Sequence, residues 1–287
     1  MACRTCGGNG GTYRIRLMNR SDVDIAVAWA AREGWNPGRH DAECFFVADP
    51  QGFFIGELDG TPVGVISMVN YGDSFAFGGF YIVAPEYRNR DYGIQLYRTA
   101  MEYAGHRTVG GDGVLAQQEN YKKMGFRTAY RNVRYQGVGG GGQPDGVVPA
   151  QAVDFAVLLA YDTRHFPAPR ETFLRAWIGQ PDIAAYAVLD GAAIAGYGVV
   201  RSCVTGYKIG PLFAERADVA ETLFQALAAH APGAPLFLDV PEPNAEAVAL
   251  AKRHGMTMVF ETARMYRGEI PALPVDSIFG VTSFELG

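Results

Sequence analysis

The chain repeats itself, and that repetition limits what it can fold into more than any other feature. "GELDGTPVGVISMV" (56–69) matches "AVLDGAAIAGYGVV" (187–200), and each reads as strand, Asp-Gly turn, strand. "YIVAPEYRNRDYGIQLYRTAMEYA" (81–104) matches "YKIGPLFAERADVAETLFQALAAHA" (207–231): strand, Pro, charged turn, amphipathic helix. "KKMGFRTAYRNVRY" (122–135) matches "KRHGMTMVFETARMY" (252–266), a helix end with Gly at its exit and then a strand. Three matches in one order predict two copies of one α/β unit. Each copy runs helices, hairpin, central strand, helix, strand, helix, final strand. Consecutive meander strands predict a mixed, mostly antiparallel sheet flanked by helices. Its parallel part in the first copy is strand 80–83, helix 93–104 and a strand near 112–116.

Between the copies lies "GVGGGGQPDGVVP" (137–149), rich in Gly and without apolar periodicity. The expected division is an N-terminal domain over 1–137, a linker over 138–149 and a C-terminal domain over 150–287. A chain of 287 residues that is 48% apolar can bury two such cores.

Several classes of function are disfavoured. The net charge of −5 argues against a general nucleic-acid binder. No apolar run reaches membrane-spanning length, and "MACRTCGGNGG" lacks the apolar core of a signal peptide, so a cytoplasmic protein without a membrane partner is expected. Cys3 and Cys6 form a CxxC in a Gly-rich tail with no second pair, so neither a metal site nor redox chemistry is expected there. Cys44 and Cys203 stand in or beside apolar runs and read as small core residues.

The stretch "FYIVAPEYRNRDYGIQL" (80–96) carries the chemistry. A strand runs into Pro85, then into Arg88-Asn89-Arg90-Asp91-Tyr92-Gly93, and a helix begins. Free backbone N–H groups and the positive end of that helix form an anion site. With Val83, Pro85 and Arg88 leading in, and Asn120-Tyr121-x-x-x-Gly125-Phe126 downstream, the first copy resembles the GNAT superfamily of N-acetyltransferases. The whole chain resembles the two-domain type with a degenerate second half. The family pattern at the turn is Arg/Gln-x-x-Gly-x-Gly/Ala; Arg88 and Gly93 fit it, and Asp91 stands where the first Gly belongs. Asp tolerates the left-handed region at a cost of about 1–2 kcal/mol. Its carboxylate about 5 Å from a phosphate would cost roughly 3 kcal/mol, and under 1 if it points into water. The expected cradle is intact and weakened.

The resemblance implies acetyl-CoA as donor, held by Ile82, Val83, Arg88, Asn89, Arg90, Asp91, Tyr92, Gly93 and Asn120. It implies an oxyanion donor at the backbone N–H of Ile82 or Val83, and Tyr121, with Asn120 beside it, as the acid for the leaving thiolate. The acceptor expected is a primary amine of a small molecule, attacking directly in a ternary complex. A non-catalytic acyl-CoA or metabolite binder and a protein or peptide N-acetyltransferase are the competing readings. In the second copy Pro211 remains, but the Arg is replaced by Glu215, or by Ala214 without a gap, and the turn has no Gly. That half reads as having lost the cofactor.

No base is marked by spacing. Glu57, Asp73, Glu119, Gln117 and Gln118 are the candidates, each read more readily as a solvated or capping residue than as a base. His40 follows the loop Trp35-Asn36-Pro37, where the resemblance places a substrate wall. Arg164, Arg170 and Arg175, read on one helix, form either a solvated face or an anion-binding set.

Overall fold

The computed structural model describes residues 11–287; Cys3 and Cys6 lie outside the described residues. The first half runs β1 (Tyr13–Leu17), α1 (Arg20–Arg32), α2 (Asp41–Ala48), β2 (Phe53–Leu58), β3 (Thr61–Tyr71), β4 (Phe75–Val83), α3 (Tyr92–Ala104), β5 (Thr108–Val114), α4 (Gln118–Lys123) and β6 (Arg127–Val138). The second runs β7 (Val147–Pro149), α5 (Phe155–His165), α6 (Glu171–Trp177), β8 (Ile183–Asp190), β9 (Ala193–Ser202), β10 (Tyr207–Ala214), α7 (Ala217–Ala228), β11 (Pro235–Pro241), α8 (Ala245–Arg253), β12 (Thr257–Arg267) and β13 (Ile278–Gly280).

Local chemistry accounts for many of these boundaries. Asn19 caps α1 in a reciprocal capping box with Asp22. Asp59 and Gly60 both take positive φ, the turn that suits a two-residue hairpin between β2 and β3. The second hairpin turns one residue later, on Gly191 and Ala192. The expected single helix around Arg170 is two: Pro167 and Pro169 interrupt it between α5 and α6. The strand expected near 112–116 ends at Val114, and Leu115–Gln117 form a 3-10 turn. The Gly-rich linker contributes β7, which pairs with β8.

All strands join one sheet, ordered β1-β2-β3-β4-β5-β12-β6-β11-β10-β9-β8-β7, with β13 on β10. Among the described residues, only β4–β5 and β10–β11 pair in parallel. The order contains an exchange. The second half's β12 lies against the first half's β5, and the first half's last strand, β6, lies against the second half's β11. Each exchanged strand is locked by a buried ion pair in direct cross-strand register. Arg134 on β6 faces Asp239 on β11, with Nε 2.6 Å and Nη2 2.7 Å from its carboxylate oxygens. Arg264 on β12 faces Asp112 on β5, with Nε 3.1 Å and Nη2 2.8 Å. Removing one partner of such a pair strands a buried charge, at a cost of about 3–5 kcal/mol, so these pairs penalise any other register.

Apolar residues alternate along the strands and divide the first half's core between two faces. Val65, Val69, Phe77 and Phe80 pack on one face with Phe45 and Trp29 from α2 and α1. Ile66, Met68 and Ala76 pack on the other with Leu96, Ala100 and Ala104 of α3.

Candidate active site

β4 and β5 pair from Phe75↔Thr108 to Gly78↔Gly111 and then part. The cause lies in β4. Val65 of β3 pairs with Ile82 while Ser67 pairs with Gly79, so Phe80 and Tyr81 together oppose Ile66. This is a β-bulge, and Phe80, fully buried, takes φ +47° within it. A bulky residue in that region is strained and is held there by its surroundings. Beyond the bulge β4 swings away from β5 and leaves a gap in the sheet.

A cavity of about 70 Å³, open to solvent, occupies the gap. One side is lined by Ile66, Met68, Tyr97, Tyr121 and Phe126, on the α3 face. The other side is lined by Trp35, Phe80 and Phe284, on the opposite face. The cavity therefore passes through the sheet, along the backbone of Gly78, Gly79, Gly110, Gly111 and Gly113.

At its edge the main chain of β4 is free to bond. The N–H of Ala84 donates to the Val63 carbonyl at 3.0 Å, so strand alternation turns the N–H of Val83 toward the gap and that of Ile82 toward β3. Of the two residues implied for the oxyanion site, Val83 is the one facing the gap. Its carbonyl accepts from Arg88 Nε at 2.9 Å.

The turn that follows is a cradle built without its glycine. Asn89 and Asp91 both have φ +61°, side by side with Arg90, and Asp91 is the N-cap of α3. These are the residue types that tolerate the left-handed region best. The Asp91 side chain is exposed and makes no cap hydrogen bond, so the first N–H groups of α3 stay uncovered. Arg88 is held by Glu33 at 2.6 Å, and Arg90 lies over the Tyr87 ring at 5.8 Å. The Tyr92 ring packs on Tyr13 with centroids 4.5 Å apart. Gly93 lies where a Cβ would come within 2.9 Å of the Tyr81 hydroxyl. The turn thus fits a phosphate: exposed N–H donors, a helix end, two nearby guanidinium groups, and a carboxylate directed to water.

Tyr121, on α4, lines the cavity near Gly113, its ring 6.4 Å from Tyr81 and 5.9 Å from Phe126. Burial, and then the neighbouring Tyr81 and Tyr97, push its hydroxyl well above the usual phenol range, so it keeps its proton at neutral pH. Asn120 is exposed, bonds Gln117 at 2.8 Å and does not line the cavity.

None of the sequence-derived base candidates reaches the cavity. Glu57 is bound by Arg16 at 2.7 Å, Asp73 is fully exposed, and Glu119 pairs with Lys122 at 2.7 Å. The Gln117 side chain is occupied by Asn120, and Gln118 donates to the Gly113 carbonyl at 3.2 Å. His40 lies 3.7 Å from Asp182, across the halves. Trp35, from the same loop, does line the cavity, and that loop docks on the second half through Asn36 and Thr205. Arg170 is neither on a solvated face nor free for an anion: it is fully buried on Asp162, at 2.7 and 2.8 Å. Sequence reasoning missed Asp112, which lines the cavity but whose carboxylate is taken up by Arg264 and Asn132. It also missed Phe284 and its neighbour Glu285, in a tail with no motif.

The second half departs from the first at the same place. A matching bulge puts Gly210 and Pro211 of β10 opposite Val199, so they correspond to Phe80 and Tyr81. Pro211 is therefore inside its strand while Pro85 follows its own, and the alignment through these prolines is out of register. Only residues 215–216 separate β10 from α7, against residues 84–91 between β4 and α3. The segment equivalent to Arg88–Asp91 is missing rather than substituted, and Glu215 pairs with Arg164.

Comparison with known proteins agrees with this architecture. Residues 21–126 match the acetyltransferase (GNAT) family and residues 158–280 match an acetyltransferase (GNAT) domain. Holothin acyltransferase of Pseudoalteromonas sp. (strain SANK 73390) is 35% identical over 279 residues, covering 96% of this chain and 95% of that protein. A putative acetyltransferase from Pyrococcus horikoshii has the same fold at TM-score 0.84, 23% identity and 98% coverage of both chains. A tandem GNAT protein from the clavulanic acid biosynthesis pathway aligns at TM-score 0.61 and 15% identity, over 90% of this chain and all of that one. The chain belongs to the GNAT acetyltransferase family, in its tandem form, and is an acyltransferase. Among the described residues no helix is long and apolar enough to cross a membrane.

Proposed function

We propose that this protein transfers an acetyl group from acetyl-CoA to the primary amine of a small molecule, by direct attack with both substrates bound. The observation carrying this reading is the cavity that passes through the sheet between β4 and β5. Its α3 side leads to the phosphate cradle, and its Trp35 side is left for the acceptor. When bound, the donor supplies an acyl group activated as a thioester.

The chain's own residues then have separable tasks. The N–H groups of Arg90 to Gly93 hold the phosphates, with Arg88 and Arg90 close by. The Val83 N–H donates to the thioester carbonyl oxygen, where negative charge develops. The Tyr121 hydroxyl, protonated at neutral pH, protonates the departing sulfur. Among the described residues the cavity lining contains no Cys, Ser, Lys or His, and its one carboxylate, Asp112, is bound by Arg264. With no nucleophile placed to take the acyl group first, direct transfer is the simpler chemistry.

The test is a thiol-release and product-mass assay with acetyl-CoA over a panel of amines. Holothin, the acceptor in the name of the 35% identical relative, is the first to try. Amine-dependent thiol release with an acylated amine product is expected. No release with any amine, or an acylated enzyme accumulating without amine, would overturn the reading.

A further inference from the structure

Glu285 is 1% exposed, and neither of its carboxylate oxygens has a hydrogen-bond partner. A buried polar group left unmatched in this way calls for a reason, because its desolvation is otherwise uncompensated. Its surroundings supply one. Phe284, the residue before it, lines the cavity. The main chain of Glu285 is packed directly on Gly79, another wall of the same cavity; a Cβ at Gly79 would collide with the Glu285 carbonyl oxygen.

The charged groups facing Glu285 come from four elements: Asp41 of α2, Arg134 of β6, Arg201 of β9 and Lys208 of β10. Most are already committed. Arg201 is bound to Asp41 at 2.8 Å, and Arg134 to Asp239 of β11. Among the described residues Lys208 donates to the Trp35 carbonyl alone, at 3.4 Å. Two more polar atoms nearby are unmatched, Arg201 Nη1 and Ser67 Oγ; the Ser67 hydroxyl lies 3.0 Å from the Cβ position of Gly79. Unmatched donors and acceptors gathered in one buried place are the setting that ordered water fills, since such a water needs two to four polar partners. Here they adjoin the acceptor side of the cavity, on the far face of the sheet from Tyr121.

We propose that Glu285 is the proton acceptor for the attacking amine, reached from the cavity through ordered water beside Gly79 and Ser67. The role rests on the amine-acylation reading above. In the step, the amine nitrogen forms the C–N bond, the C–S bond breaks, and the sulfur takes the Tyr121 proton. The proton lost by nitrogen passes through water to the Glu285 carboxylate. Glu285 then releases it, and Tyr121 regains one, through solvent between turnovers. Burial, opposed mainly by Lys208, raises the Glu285 carboxyl above the usual carboxylate range, the direction that suits a base working near neutrality.

Glu285→Gln keeps shape and removes the base. With an amine that the wild type acylates, turnover at pH 7 should fall by roughly 10²–10⁴, the usual worth of a positioned base. The acidic limb of the pH–rate profile assigned to Glu285 should give way to one that follows the amine's own ionisation, so that the deficit narrows as pH rises and free amine accumulates. Acetyl-CoA affinity and thermal midpoint should stay near wild type, and Glu285→Asp should recover part of the rate. Wild-type turnover with an unchanged profile in Glu285→Gln would overturn the proposal. So would a loss that is equal at every pH and tracks a fall in thermal midpoint. A wild type inactive on every amine would overturn the function itself, and this role with it.

Discussion

Two gaps in one sheet have met different fates. In the first half, β4 parts from β5 after Gly78↔Gly111, and strand alternation turns the Val83 N–H toward the gap left between them. In the second half, β10 parts from β11 after Ile209↔Leu238, beyond an equivalent bulge. There the gap holds β13, with Gly280 paired to Leu212 and Ile278 to Phe213. Counted from the bulge, Leu212 and Phe213 are the counterparts of Ile82 and Val83. The second half's equivalent of the donor-binding edge is thus occupied by the chain's own tail, and Val281 closes it further by donating to the Asp239 carbonyl at 2.9 Å. The tail then crosses to the first half, where Phe284 walls the open cavity and the Tyr71 hydroxyl donates to the Leu286 carbonyl at 3.1 Å. A bulge and a splayed strand pair make a gap, and what reaches that gap decides whether it becomes a site.

The sharpest test of this contrast concerns the acid. Matching the Gly exits of α4 and α8, Gly125 with Gly255, puts Ala251 where Tyr121 stands, so the closed gap has no hydroxyl at the position proposed for the acid. Tyr121→Phe should lower turnover by about 10²–10⁴ while leaving acetyl-CoA affinity and folding almost unchanged. Wild-type turnover in that variant, measured with a real acceptor, would reduce Tyr121 to a packing residue.

A smaller effect is expected from the closed gap. A Cβ at Gly280 would lie 2.7 Å from Leu238 Cδ1 and 3.2 Å from Leu212 Cβ. Gly280→Val should therefore loosen β13 and destabilise the fold by about 1–3 kcal/mol, read as a lower thermal midpoint. Calorimetry should still find one acetyl-CoA per chain, because the short turn 215–216 offers no cradle. Two per chain would mean that the tail alone keeps the second half silent.

Both the repeat and the turn at 88–93 were legible in the sequence, because each is written in local spacing. The strand exchange was not. Arg134 and Arg264 occupy matching positions in the repeat, yet nothing local says that their partners are Asp239 and Asp112, each from the other half. Pairing across more than a hundred residues leaves no periodicity to read. The prolines at 85 and 211 actively misled, since one follows its strand and the other sits in a bulge. Val83 could be separated from Ile82 only by the direction of an N–H bond. Phe284 and Glu285 carry no motif at all, and their importance comes from where β13 delivers them.

The smallest predicted effect separates charge from loop length as the reason the halves differ. Asp91 already holds a left-handed φ of +61°, which glycine adopts freely, so Asp91→Gly should leave the turn's shape unchanged. Its exposed carboxylate, screened by water, costs the bound phosphates under about 1 kcal/mol, so removing it should tighten acetyl-CoA by no more than a few fold. That gain should shrink as salt rises, because screening acts on exposed charge. Asp218, the acid in the first turn of α7, is neutralised by Arg216 at 3.1 Å, so the second half's turn is not defined by a bare charge either. If Asp91→Gly leaves affinity unchanged at low salt, charge at the turn is irrelevant in both halves. The extra residues 84–91, with their left-handed Asn89 and Asp91, would then account for the whole difference at the cradle.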